Sequence, residues 1–216
     1  MPKPTFKTKK SEQTFERVFE SACQLFVEQG YERTTMRDIS KAGGLGLGAL
    51  YYYFNSKEEV VLRFYEKVNQ EVAVEFRQQA ARSDLGQDFA LLMQVKLKAL
   101  APNRDLLRVV IKEAVDPNSA LCPLSNASHE TRDLSLDLFH DIVARHEKAK
   151  VNADEIQQMS RGLWMLHMGI LGYWLHDRSV EHAATTKAVD TAARLLTWSN
   201  RLAKIPGFSP LRKQVL

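Results

Sequence analysis

The chain has 216 residues, 30 Lys+Arg against 26 Asp+Glu for a formal net charge of +4, 44% hydrophobic residues, 10 Gly and 7 Pro. That balance excludes disordered, fibrous and disulfide-framed classes, and a chain of this length buries roughly 70% of its unfolded surface without a metal or disulfide staple. Cys23 and Cys122 form no CxxC pair, and the N-terminal lysines lead into an amphipathic stretch instead of an apolar signal core, so a cytoplasmic location is expected.

Apolar residues recur at helical spacing through most of the chain, and no strand run stands out. Phe15, Val18, Phe19, Ala22, Leu25 and Phe26 make one stripe of a first helix, which Gly30 stops. Thr35 with Asp38 reads as a capping box opening a short second helix to about Ala42. Gly43, Gly44, Gly46 and Gly48 then fall within six residues, ahead of Ala49-Leu50-Tyr51-Tyr52-Tyr53-Phe54, which predicts a tight turn and another short helix. Ser56 with Glu59 repeats the capping box and opens a long helix to about Arg82.

Beyond Ser83, breaks at Pro102, Pro117, Pro123 and Asn152 divide the chain into helices near 87–100, 104–115, 128–148, 154–177 and 180–204. The expectation is an all-α fold of about nine helices. A three-helix unit in residues 1–60 is joined by a long helix to a helical bundle in 61–216. The apolar run from Leu163 to Leu175 is interrupted by His167 and is shorter than the ~20 residues needed to span a bilayer, so it reads as a buried helix and no membrane partner is expected. The tail from Pro206 to Leu216 is expected at the surface.

Lys3, Lys7, Lys9 and Lys10, with no acid among the first ten residues, make a basic arm. Such an arm suits phosphate contact, and it suits a solubilising end equally. Two short helices around a turn, from Thr35 to Phe54, match the helix-turn-helix, whose second helix presents one face to the DNA major groove. Gly46 and Gly48 bare the backbone amides near that helix's start. Tyr51, Tyr52 and Tyr53 splay about 100° apart, so they cannot all be core; Leu50 and Phe54 are assigned to the core. A nucleotide cradle is excluded because neither GxxxxGK[ST] nor GxGxxG is present.

The run from Phe15 to Val60 closely resembles the DNA-binding domain of the tetracycline-repressor (TetR) family. The residues that carry the likeness are Leu25-Phe26-Val27-Glu28-Gln29-Gly30-Tyr31-Glu32-Arg33-Thr34-Thr35, Asp38-Ile39 and Leu50-Tyr51-Tyr52-Tyr53-Phe54-Asn55-Ser56-Lys57-Glu58. The resemblance implies a homodimeric transcriptional regulator of double-stranded DNA with a palindromic operator, whose larger domain takes a small-molecule effector. Position by position, it implies phosphate contacts from Thr34 or Thr35 and from Lys57, with Arg37 as another. It implies a base-edge contact from Tyr51, phosphate or sugar contacts from Tyr52 and Tyr53, and a recognition-helix start at Gly46, Leu47, Gly48 and Ala49. Family members often carry a hydroxyl residue at the position of Gly46 and a polar or basic one at that of Leu47. Here Leu47 can read only a thymine methyl.

The same resemblance implies that the last two long helices pair with their copies as the dimer interface. Phe89, Met93, Leu97, Leu107, Ile111, Phe139, Val143, Trp164, Met168 and Trp174 are candidate effector contacts, with His167, Tyr173 or Arg108 as polar anchor. Met and aromatic stripes at this spacing serve equally as plain core. The histidines form no HExxH, no di-iron pair and no nucleophile elbow is present, so no enzyme activity, metal or cofactor is expected. The leading expectation is a repressor released from its operator by a small, largely apolar effector. A helical-bundle sensor or enzyme without DNA binding, and a constitutive DNA-binding protein without effector, are the alternatives.

Overall fold

A computed structural model of the chain describes residues 8–146 and 152–203, with side chains to Ser199. The basic arm at Lys3 and Lys7 and the tail from Pro206 lie outside the described residues. Among the described residues the chain is all-α, with seven long helices and two of seven residues. In order they are α1 (Lys9–Gln29), α2 (Met36–Ala42), α3 (Leu47–Tyr53), α4 (Lys57–Gln78), α5 (Leu85–Leu100), α6 (Arg104–Val115), α7 (His129–His146), α8 (Ala153–His176) and α9 (Ala183–Ala203).

Local chemistry sets the ends. The Thr35 hydroxyl oxygen accepts from the Asp38 amide at 3.2 Å, while the Asp38 carboxylate accepts from the Thr35 amide at 2.9 Å. Hydrogen bonds from Thr35 hold the Asp38 carboxyl below the usual carboxylate range. Gly30 ends α1 with φ 91°, a value that disfavours any side chain. At α4 the reciprocal partner differs from expectation: Glu59 donates its amide to Ser56 Oγ, but its carboxylate accepts from the amide and side chain of Asn55. The expected helix at 180–204 begins instead as a 3-10 turn, Val180–His182, before α9. Asp177 accepts from Ser179 and Thr185 through both backbone and hydroxyl donors, which folds the chain into a loop between α8 and α9.

The helices fall into two compact units that do not follow sequence order. The first comprises residues 1–68 and 103–132, and the second 69–102 and 133–216. This differs from the expected division at residue 60. The cut lies inside α4, and α6 belongs to the first unit because it packs on α1. Val18, Ala22, Phe26, Ile39, Leu50 and Phe54 are fully buried in the first unit. In the second, α5 runs along α9, and Gly86 faces the Ala193 carbonyl so closely that a Cβ there would collide with it. Thr197 Oγ1 donates to Asp84 Oδ1 at 2.6 Å beside that crossing. The buried Asp88 carboxylate accepts from the Arg82 amide, Arg145 and His146.

Candidate nucleic-acid interface

The bend between α2 and α3 is built from glycines with distinct tasks. A Cβ on Gly43 would sit 2.8 Å from Val18 Cγ2, so a side chain there would hold the bend off α1. Gly44 has φ 66°, the left-handed region that favours glycine. The Leu45 amide closes the turn by donating to the Ser40 carbonyl at 2.8 Å, and Arg17 Nε donates to the Gly43 carbonyl at 3.2 Å. Gly46 and Gly48 meet nothing and leave the start of α3 bare.

Leu50 and Phe54 anchor α3 in the first unit's core, and Phe15 stacks on Phe54 with ring centres 4.7 Å apart. That packing turns the three tyrosines to three environments. Tyr53 is half-buried against Phe15, whereas Tyr51 and Tyr52 are 47% and 65% exposed. Tyr52 meets Tyr53 edge to face at 5.3 Å. Thr35, Arg37, Gly46, Gly48 and Ala49 are also exposed, and Leu47 is half-buried. Lys41, exposed in the last turn of α2, is a cation absent from the sequence-based contacts; its place four residues after Arg37 on one helix face is the signal that could have found it.

Two assigned contacts stand differently. Thr34 is 1% exposed, and its hydroxyl donates to the Gly30 carbonyl at 2.8 Å, so its side chain joins the turn after α1 and is withdrawn from any phosphate. Lys57 is half-buried. Its ammonium donates to the Tyr31 carbonyl at 2.9 Å and the Glu32 carbonyl at 3.3 Å. The Tyr31 hydroxyl in turn donates to Glu58 at 2.8 Å, and burial together with that acidic neighbour pushes the phenol's pKa up.

In the second unit Phe89, Met93, Phe139, Val143, Trp164, His167 and Trp174 are buried, and Leu97 and Met168 are half-buried. Phe139 lies 6.2 Å from Phe89 and 5.2 Å from the His167 ring, centre to centre. Leu107, Arg108 and Ile111 belong to the first unit, on α6. Arg108 is exposed, and Tyr173 is half exposed, which removes both from a buried anchoring role. Sequence reasoning also misses Lys96, 3% exposed on α5, whose Nζ donates to Ser135 Oγ on α7 at 2.7 Å. Its position seven residues after Phe89 and three after Met93 puts it on the buried stripe, and that spacing is the signal.

The chain matches two family profiles: "Bacterial regulatory proteins, tetR family" over residues 18–64, and "Tetracyclin repressor-like, C-terminal domain" over residues 90–204. The second alone covers more than half of the chain. The chain belongs to the TetR family.

Among TetR-family relatives, the repressor BepR of Brucella suis is 25% identical over 173 residues, covering 76% of this chain and 81% of BepR. IcaR of Staphylococcus epidermidis, a negative regulator of a biofilm operon, is 37% identical over 51 residues, 24% of this chain and 28% of IcaR. The chain spans 28% of the length of IcaR and 50% of that of Bacillus subtilis PksA, half or less of each of these curated relatives. A TetR-family structure from Syntrophomonas wolfei superposes with a TM-score of 0.70 at 18% identity, over 87% of this chain and 96% of that one. Thermus thermophilus FadR, a TetR-family repressor solved with lauroyl-CoA, superposes with a TM-score of 0.61 at 23% identity, over 84% and 92%. Both show the TetR fold. No helix among the described residues is long and apolar enough to cross a membrane.

Proposed function

We propose that this TetR-family chain is a repressor that binds palindromic operator DNA as a homodimer and releases it when the second unit takes up a small effector. The observation that carries the reading is the exposed pair Tyr51 and Tyr52 on a helix whose opposite side is locked by Leu50 and Phe54, inside the segment that matches the family's DNA-binding region. A rigid short helix with phenols outward delivers hydroxyl donors and flat faces to a groove at little cost in conformational entropy. Tyr51 reads base edges. Tyr52, Thr35, Arg37 and the backbone at Gly46, Gly48 and Ala49 position the helix on phosphates, and Leu47 supplies an apolar contact. Lys57 serves chiefly to tie the start of α4 to the turn after α1, and Tyr53 to hold α3 against α1.

For dimerisation, α8 and α9 of the single chain present Met165, Leu166, Tyr173, Leu195 and Trp198 outward. Gly162 and Gly169 on α8 are exposed with open space around them. An apolar face with small-residue gaps suits a second copy of the same helices, and a two-fold interface accounts for a palindromic site. The effector acts through different affinity for DNA-competent and DNA-free arrangements.

Fluorescence anisotropy on the DNA flanking the chain's own gene tests this. Binding should weaken steeply with salt, as neutralised phosphates require. Tyr51→Ala should blur sequence preference, whereas Arg37→Ala should weaken all sequences alike. Binding that is indifferent to salt, or to both substitutions, contradicts the proposal.

A further inference from the structure

The interior of the second unit holds two polar side chains whose hydrogen-bonding capacity is unfilled among aromatic neighbours. His167 on α8 is 2% exposed. Its Nδ1 lies 3.2 Å from the Trp164 carbonyl, which can only accept, so Nδ1 carries the proton and Nε2 is left as a bare acceptor. Nε2 has no hydrogen-bond partner. Lys96 Nζ has three hydrogens in its charged form, and the Ser135 hydroxyl takes one. The ammonium lies 5.7 Å from the centre of the Phe139 ring, and the His167 ring centre lies 5.2 Å from the same point. Both groups therefore border the same aromatic ring, Phe139 of α7, and the Lys96 charge acts on the His167 imidazole.

Leaving a buried acceptor empty is costly, and an under-coordinated buried amine costs more. Burial lowers the Lys96 amine to about 7, and burial together with the Lys96 charge holds the His167 imidazole well below its ordinary value. An apolar compound would bury both groups without satisfying either. A carboxylic acid satisfies both: one oxygen accepts from Lys96, and the acidic hydroxyl donates to His167 Nε2. Whether the proton rests on oxygen or on a nitrogen, the net charge of the assembled set is the same.

We infer that Lys96, Ser135 and His167 form a seat for the carboxyl head of an acidic amphiphile, with Phe89, Met93 and Phe139 against its apolar part. The inference rests on the reading of the second unit as the effector-binding unit and names the class of effector. It makes Lys96 the specificity determinant, since a hydrocarbon tail alone does not distinguish an acid from an alcohol.

Isothermal titration of the full chain with hexanoate through hexadecanoate, set against the primary alcohols of equal length, reads the effect directly. At least one acid should bind the native protein at least about tenfold more tightly than its alcohol, a separation well above measurement error. Lys96→Met keeps the length of the stem and His167→Phe keeps the ring. Each should lose that preference while still binding the alcohol, with folding checked by far-UV circular dichroism. Equal binding of acid and alcohol to the native chain overturns the seat and needs no variant; so does a preference that survives in folded Lys96→Met, or the absence of any binding. Operator release, followed in parallel with the same compounds, separates the two readings. An alcohol that frees DNA as well as its acid removes the carboxyl seat and leaves the effector-responsive repressor standing. Operator DNA that stays bound at saturating ligand removes the repressor reading and leaves the seat to the titration.

Discussion

The Lys57 ammonium donates to the Tyr31 carbonyl at 2.9 Å and lies 4.2 Å from the centre of that residue's ring. One side chain at the start of α4 thus satisfies the peptide group and covers the aromatic face of the residue that follows α1. Lys57→Met should lower stability by about 1 kcal/mol, because a charge-assisted hydrogen bond and a cation–π contact are lost while the apolar stem is kept. Urea denaturation checks it. A variant as stable as the parent would return Lys57 to a purely DNA-facing role.

The glycines of the bend should respond unequally. Gly43→Ala places a methyl group against Val18 and should cost about 1–3 kcal/mol. Gly44→Ala strains a left-handed residue by roughly 1–2 kcal/mol. Gly46→Ser meets open space at the N-cap of α3 and should stabilise by a few tenths of a kcal/mol. Thermal melts of the three variants should rank in that sense, and equal losses at Gly43 and Gly46 would contradict the division of tasks.

Much of the first unit is legible in the amino-acid sequence. Gly30, Thr35 with Asp38, and the Leu50/Phe54 pair identify α1 to α3 because a stop, a cap and a core spacing are each local properties of the chain. The early end of α4 at Gln78 and the loop before α9 are not legible, since the second depends on Asp177 reaching hydroxyls up to eight residues away. Thr34 and Lys57 look alike from sequence as surface donors; only packing shows that both hydrogen-bond to backbone carbonyls. Lys96 escapes notice because a charged residue is ordinarily assigned to the wet face of a helix, even where the spacing puts it inside.

Lys96 also ties stability to pH. The unfolded chain holds this proton up to an ordinary value of 10.5, while the native state releases it at about 7. Between those limits the unfolded state binds more protons, so this group adds to native stability as pH rises. Lys96→Met should therefore be more stable than the parent, with the gap widest below about pH 7 and narrowing toward 10.5. Unfolding free energies measured across that range in the absence of ligand check both the sign and the window.

Trp198 is 62% exposed on α9, with Leu195 one turn before it. Trp198→Glu puts a charge on the face assigned to the second copy and should shift the sedimentation profile toward the monomer, with little change in the far-UV spectrum. An unchanged dimer would place the interface elsewhere on the surface.

The contact of Gly86 with the Ala193 carbonyl has a mechanical consequence. Where two helices meet backbone to backbone, no flexible side chain is interposed to absorb a displacement, and close-packed interiors pass strain on. Lys96 rides on the same rod as Gly86, and Leu195 and Trp198 on the same rod as Ala193. Displacing α5 at the buried amine is therefore expected to carry α9 and its tryptophan along, through a crossing held by a missing methyl group and the Asp84–Thr197 hydrogen bond.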